Sequence, residues 1–150
     1  MEDDLGSDVL ICNGDSLTLN TEIPGCSYLW QDGSQNPNYT ITSSGIYGVT
    51  VTNVQCEAYD EIEATVENWS VDAGQDTSFC SNDFQLTLNA SPGASSYLWS
   101  TGETTQNIEI SNEGTYQVQA TTINNCIYSD LVSIVLNNLP EVNISASSRE

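Results

Sequence analysis

The side chains able to do chemistry in this chain are carboxylates and thiols: 21 Asp and Glu and five Cys, against one basic residue, Arg149, and no His. General acid–base catalysis draws most often on His, and a nucleophilic Ser or Cys needs a base beside it. With neither histidine nor lysine present, no catalytic residue is assigned and the chain is read as not an enzyme. Paired carboxylates alone could serve glycoside hydrolysis, but these are scattered over turns and strand edges of small units. Calcium is the cofactor that such residues suit, because it takes hard oxygen ligands from loops. The candidate ligands are Asp8, Asp60, Asp72, Asp76 and Asp130, with Asp15 and Asp83 as a further matched pair. No D-x-D-x-D-G loop is present to organise them.

The formal net charge of −20 excludes several partners. A nucleic acid needs Lys or Arg to neutralise its phosphates. Nucleotide cofactors, anionic lipid surfaces and acidic substrates are disfavoured for the same reason. Such acidity suits a soluble, self-repelling surface on an extracellular or salt-exposed protein. No apolar run approaches the roughly 20 residues of a membrane span, and no signal peptide opens the chain, so Met1 reads as the start of an expressed fragment.

The elements that must carry these residues come twice. "SYLWQDG" at Ser27 to Gly33 returns as "SYLWSTG" at Ser96 to Gly102, an offset of 69 that also carries Gly45 onto Gly114 and Tyr47 onto Tyr116. The offset is 68 before the phrase (Asp8 to Asp76, Cys12 to Cys80) and 70 after it (Cys56 to Cys126, Asp60 to Asp130). Single-residue insertions between matched segments are what loops tolerate. Two repeats are expected, over 1–68 and 69–138, with 139–150 a linker to a next repeat or an appended tail. Each unit of about 70 residues is near the lower limit for a self-sufficient core.

Alternation dominates both repeats. "SLTLNT", "YGVTVTN" and "EIEATVE" put apolar or β-branched side chains on every second residue, and "QLTLNA", "NIEIS", "TYQVQATT" and "LVSIVL" do so in the second repeat. A period of two buries one face and wets the other, as in antiparallel strands. Turn signals such as "CNGDS", "QDGSQNPN" and "STGETT" separate them. The first repeat is expected to hold strands at Val9–Cys12, Leu17–Asn20, Tyr28–Gln31, Tyr39–Thr42, Ile46–Thr52 and Glu61–Glu67, the second following by the offsets. The fold class is all-β: two tandem immunoglobulin-like (PKD or fibronectin III-like) β-sandwich domains. Trp30 and Trp99 fall where such sandwiches keep a buried ring, and Tyr47 and Tyr116 where a tyrosine closes a strand corner. These four are the expected core aromatics. The short junction "NWSVDAGQD" lacks a Gly/Ser run, which implies a stiff head-to-tail rod.

Cysteines suggest an oxidising compartment, and the disulfide candidates are Cys12, Cys26, Cys56, Cys80 and Cys126. Two pairings stay open. The first joins Cys12 to Cys56 and Cys80 to Cys126 within the repeats and leaves Cys26 free. The second joins Cys12 to Cys126 between repeats and Cys26 to Cys56, with Cys80 awaiting a further repeat.

Taken together, "LGSDVLICNGDSLTLNT", "YLWQDG" and "SGIYGVTVTNVQCEAYDEIEATV", with their second-repeat counterparts, resemble the tandem Ig-like or PKD-like repeats of giant Bacteroidetes cell-surface adhesins, above all those of gliding motility. The resemblance runs from Leu5 to Leu136. Two departures bear on turn geometry: Cys80 is followed by "SND", and Gln55 and Asn125 stand before Cys56 and Cys126 where the family usually has Gly. The resemblance implies a secreted, extracellular segment exported by the type IX pathway and displayed at the outer membrane. It implies neighbouring repeats of the same chain and extracellular surfaces or polysaccharide as partners, with no membrane insertion and a monomeric state. The alternatives are a carbohydrate- or surface-binding module, or an accessory domain of a secreted enzyme.

Overall fold

The computed structural model describes residues 5–80 and 84–138; Asp83 and the 139–150 tail lie outside them. The chain divides into two compact units, Met1–Trp69 and Ser70–Glu150. Every regular element among the described residues is a strand.

Unit 1 holds β1 (Val9–Cys12), β2 (Leu17–Asn20), β3 (Ser27–Trp30), β4 (Asn38–Ile41), β5 (Gly45–Thr52) and β6 (Glu57–Glu67). Its larger sheet runs β1-β6-β5-β3, and β2 pairs with β4 in a second sheet. Apolar side chains from both sheets fill one core. Ile11, Trp30, Val49 and Ile62 come from the larger sheet, Leu19 and Ile41 from the smaller. Unit 2 repeats the plan with β7 (Thr77–Phe79), β8 (Leu86–Asn89), β9 (Ser96–Trp99), β10 (Asn107–Ile110), β11 (Gly114–Thr121) and β12 (Ile127–Leu136). The order is β7-β12-β11-β9 with β8 paired to β10. The protein is therefore all-β, with two immunoglobulin-like sandwich units.

One expectation needs correcting. Alternation was read as antiparallel throughout, yet β1 runs parallel to β6 (Val9↔Ala64 to Cys12↔Glu67) and β7 runs parallel to β12. A half-buried strand alternates in either direction, so the pattern carries no sign of orientation. The last strand of unit 1 also starts earlier than expected, at Glu57, because the preceding turn is tight. Asn53 N–H donates to the Cys56 carbonyl at 2.9 Å, and the Asn53 side chain accepts from the Cys56 N–H at 2.8 Å. In the matching turn of unit 2, Asn125 takes a left-handed backbone (φ 63°). Asparagine tolerates that conformation better than most residues, which is how the turn forms without a glycine.

The repeated heptapeptide folds the same way twice. Trp30 and Trp99 are each only 2% exposed. The Trp30 indole donates to the Asn36 carbonyl at 2.8 Å, and the Trp99 indole to the Thr105 carbonyl at 2.9 Å. Directly after each ring the chain reverses: Gly33 N–H donates to Trp30 O and Gly102 N–H to Trp99 O, both at 2.9 Å. The glycines sit at φ 85° and 97°, where a Cβ would be strained, so glycine is retained while the preceding residue varies between Asp32 and Thr101. Tyr47 and Tyr116 close the corners by donating to the Ser43 and Asn112 carbonyls, each at 2.8 Å.

Candidate functional site

The carboxylates named as calcium candidates accept backbone N–H groups. Asp8 accepts from the Glu63 N–H at 2.9 Å, and its counterpart Asp76 from the Ser133 N–H at 2.8 Å. Asp60 accepts from the Leu5 N–H, and its counterpart Asp130 from the Ala73 N–H at 2.8 Å. Each of these bonds ties the segment leading into a unit to that unit's last strand. Asp72 turns the chain locally by accepting from the Gly74 N–H at 2.8 Å. Among the described residues no three His, Cys, Asp or Glu side chains gather into a group able to hold a metal ion.

The five cysteines separate into two states. Cys12 and Cys126 are disulfide-bonded. Cys26, Cys56 and Cys80 are free thiols, half-buried at Cys26 and exposed at the other two. The in-repeat bonds Cys12–Cys56 and Cys80–Cys126 are therefore not formed, and neither is Cys26–Cys56. Cys26 and Cys56 nevertheless line one cavity of about 270 Å³ in unit 1, with Ile23, Val51, Asn53, Glu57 and Ala58.

Two polar clusters of unit 1 have no counterpart in unit 2. At the end of the heptapeptide, Asp32 accepts from the Ser34 N–H at 2.9 Å and from the Tyr39 hydroxyl at 3.1 Å. The Ser34 backbone bond holds the Asp32 carboxyl below its usual value, with the Tyr39 hydroxyl adding to the effect. Burial, then the bond to Asp32, pushes the Tyr39 phenol up. The Tyr39 ring also covers Trp30, with centroids 4.8 Å apart.

The second cluster is on the outer face of the larger sheet. Tyr59 on β6 is 63% exposed, and its phenol end lies across Gly48 on β5. A Cβ on Gly48 would meet the Tyr59 hydroxyl first and stand 2.9 Å from Cε2 and Cζ. The Tyr59 hydroxyl donates to the Glu61 carboxylate at 2.7 Å. That hydrogen bond, then burial, pushes the phenol up, so it stays a protonated donor through the neutral range. Gly48 is locked to β3's end, donating to Gln31 Oε1 at 3.1 Å while its carbonyl accepts from the Gln31 N–H at 3.0 Å. Leu29 lies in the same row as Tyr59, through Thr50, and is 50% exposed. In the sequence Tyr59 is only a weak candidate for stacking a sugar ring, weaker than the tryptophans. The available signal was a glycine in the middle of an alternating strand with no turn to make.

No protein-family model matches the chain, and no curated protein does. Solved structures similar to it are tandem Ig-domain chains. DIP-gamma IG1+IG2 is 12% identical over 88% of this chain and 95% of that one, with a TM-score of 0.38. Titin Ig tandem domains A164-A165 are 12% identical over 89% and 94%, at 0.35. The N-terminal four Ig domains of Dscam1 isoform 1.9 are 14% identical over 87% and 44%, at 0.36. The chain thus spans less than half of that Dscam1 structure and nearly the whole of the two-domain ones.

Proposed function

We propose that this chain is a structural and adhesive segment of a large secreted cell-surface filament, of the kind represented by the gliding-motility adhesin SprB of Bacteroidetes, exported by the type IX pathway and displayed outside the outer membrane. The observation that carries the reading is the doubled frame. Each unit builds the same buried tryptophan, glycine turn and corner tyrosine at matched positions, and in each a matched pair of aspartates accepts from backbone amides. Stability in such arrays adds unit by unit, which suits a long filament. Cys12 and Cys126 are bonded beside three free cysteines, which fits an oxidising compartment.

The test is to raise antibody to the 150-residue chain and label intact producing cells. Surface label on unpermeabilised cells, with attachment or gliding slowed by the Fab, is the expected result; label that needs permeabilisation overturns the reading. Non-reducing peptide mapping checks the bonded state, with Cys12 and Cys126 recovered only in disulfide-linked peptides.

A further inference from the structure

The two units are an internal comparison, because whatever the frame needs appears in both. The pair Gln31 and Gly48 matches Ser100 and Gln117, which exchange equivalent bonds: the Ser100 N–H donates to the Gln117 carbonyl at 2.8 Å, and the Gln117 N–H to Ser100 Oγ at 3.2 Å. Thr50↔Tyr59 likewise matches Gln119↔Ser129. Unit 2 thus builds the same sheet with Gln117 for Gly48, Ser129 for Tyr59 and Leu131 for Glu61. The sheet does not require the arrangement of unit 1.

Nor does a bare glycine favour the sheet. Glycine inside a strand weakens it and often marks a place where something approaches closely; Gly48 has that approach, from Tyr59. Its effect shows in the burial pattern. The exposed and buried residues of β11 alternate strictly from Tyr116 to Ala120, whereas in β5 Tyr47, Gly48 and Val49 are all buried, because the ring covers the outward-facing glycine. An aromatic ring is thereby laid down on a rigid strand, oriented by a carboxylate, and left mostly in solvent.

We propose that Tyr59, seated on Gly48 and held by Glu61, is a stacking platform for a pyranose ring of a saccharide that carries no acid groups. The C–H face of a pyranose is apolar and weakly positive, and it complements the negative face of an aromatic ring. Glu61 and Gln31 stand beside the platform to bond the ring's hydroxyls, as a few placed polar groups do in small-ligand sites. The absence of acid groups follows from charge. Glu57, Glu61 and Glu63 occupy the same face of β6 as Tyr59 and are exposed, so an anionic sugar is repelled. A folded protein is the poorer occupant: Tyr59, Leu29 and Ile46 are the exposed large apolar side chains around Gly48, they are interrupted by Glu57, Glu61 and Glu63, and together they offer less than the about 800 Å² per partner of a stable interface. The inference rests on the adhesive half of the function proposed above and supplies its ligand class.

The experiment is an array of immobilised glycans (neutral β-glucans, mannans, xylans and galactans, an amino-sugar polymer, and alginate and pectate as acidic controls) probed with the full chain. Retention is expected on at least one neutral or amino-sugar glycan and on neither acidic one. Tyr59→Ala should reduce it at least ~10-fold while the amide dispersion of both units stays that of the folded chain. Gly48→Ala, whose methyl lifts the ring, should reduce it as well, and Ser129→Ala should leave it intact. No retention on any non-acidic glycan, or retention indifferent to Tyr59→Ala, overturns the platform. Surface labelling with an empty array would remove the platform and leave the filament; array binding without surface labelling would do the reverse.

Discussion

The Trp30 indole reaches six residues forward to the carbonyl of Asn36 at 2.8 Å, so the central ring of unit 1 is also the staple of the loop that follows it. Burial and hydrogen bond are then lost together on truncation. Trp→Ala changes in cores cost about 3–5 kcal/mol, a large share of what a unit this small can hold. Trp30→Ala should therefore unfold unit 1, read as collapse of its amide dispersion in a heteronuclear NMR spectrum, with Trp99→Ala doing the same to unit 2.

The corner tyrosines are equivalent in place but unequal in bonding. Tyr47 meets the Ser43 carbonyl and, at 3.0 Å, the Ser43 hydroxyl, whereas the bond shown for the Tyr116 hydroxyl is to the Asn112 carbonyl. Each Tyr→Phe change should cost about 1 kcal/mol, roughly 4–8 °C in melting temperature for a unit of this size. Tyr47→Phe should show the larger loss in a calorimetric scan.

Acid should affect unit 1 through Asp32. Its carboxyl is held below the ordinary 3.8, first by the Ser34 backbone bond. A depressed folded-state pKa means that the contribution is fully present above 3.8 and lost as pH falls through the lower folded value. The difference in melting temperature between the native chain and Asp32→Asn should be steady above that range and narrow below it. Thr101 gives unit 2 no such group, so Thr101→Ala should show no comparable pH dependence.

Thiol labelling should sort the cysteines without reduction. Iodoacetamide added to the folded chain should modify exposed Cys56 and Cys80 quickly and half-buried Cys26 slowly. Cys12 and Cys126 should be labelled only after a reductant. Mass spectrometry of the digested chain reads the order directly.

Much of the fold was legible because it rests on local patterns. Alternation placed the strands to within a few residues, and the heptapeptide announced its buried tryptophan and its glycine turn. The direction of β1 was not legible, because alternation is the same in parallel and antiparallel strands. The acids were ambiguous for a related reason: an Asp beside a strand can take a cation or a backbone N–H, and only the fold shows the Glu63 amide waiting for Asp8. Tyr59 over Gly48 is a diagonal contact across two strands, visible only once Thr50↔Tyr59 fixes the register. Thiol pairing depends on distances between turns, which spacing along the chain does not contain.

The parallel seam between β1 and β6 also determines how unit 1 meets a pull. The chain enters the unit through β1 and leaves through β6, and these neighbours point the same way, joined from Val9↔Ala64 to Cys12↔Glu67. With Cys12 and Cys126 reduced, tension on the two ends slides one strand lengthwise against the other, so the bonds of the seam are loaded at once and do not unzip in turn. β7 and β12 give unit 2 the same shear geometry over a shorter seam, Ile134↔Thr77 to Leu136↔Phe79. Under rising force the shorter seam is the one that yields first.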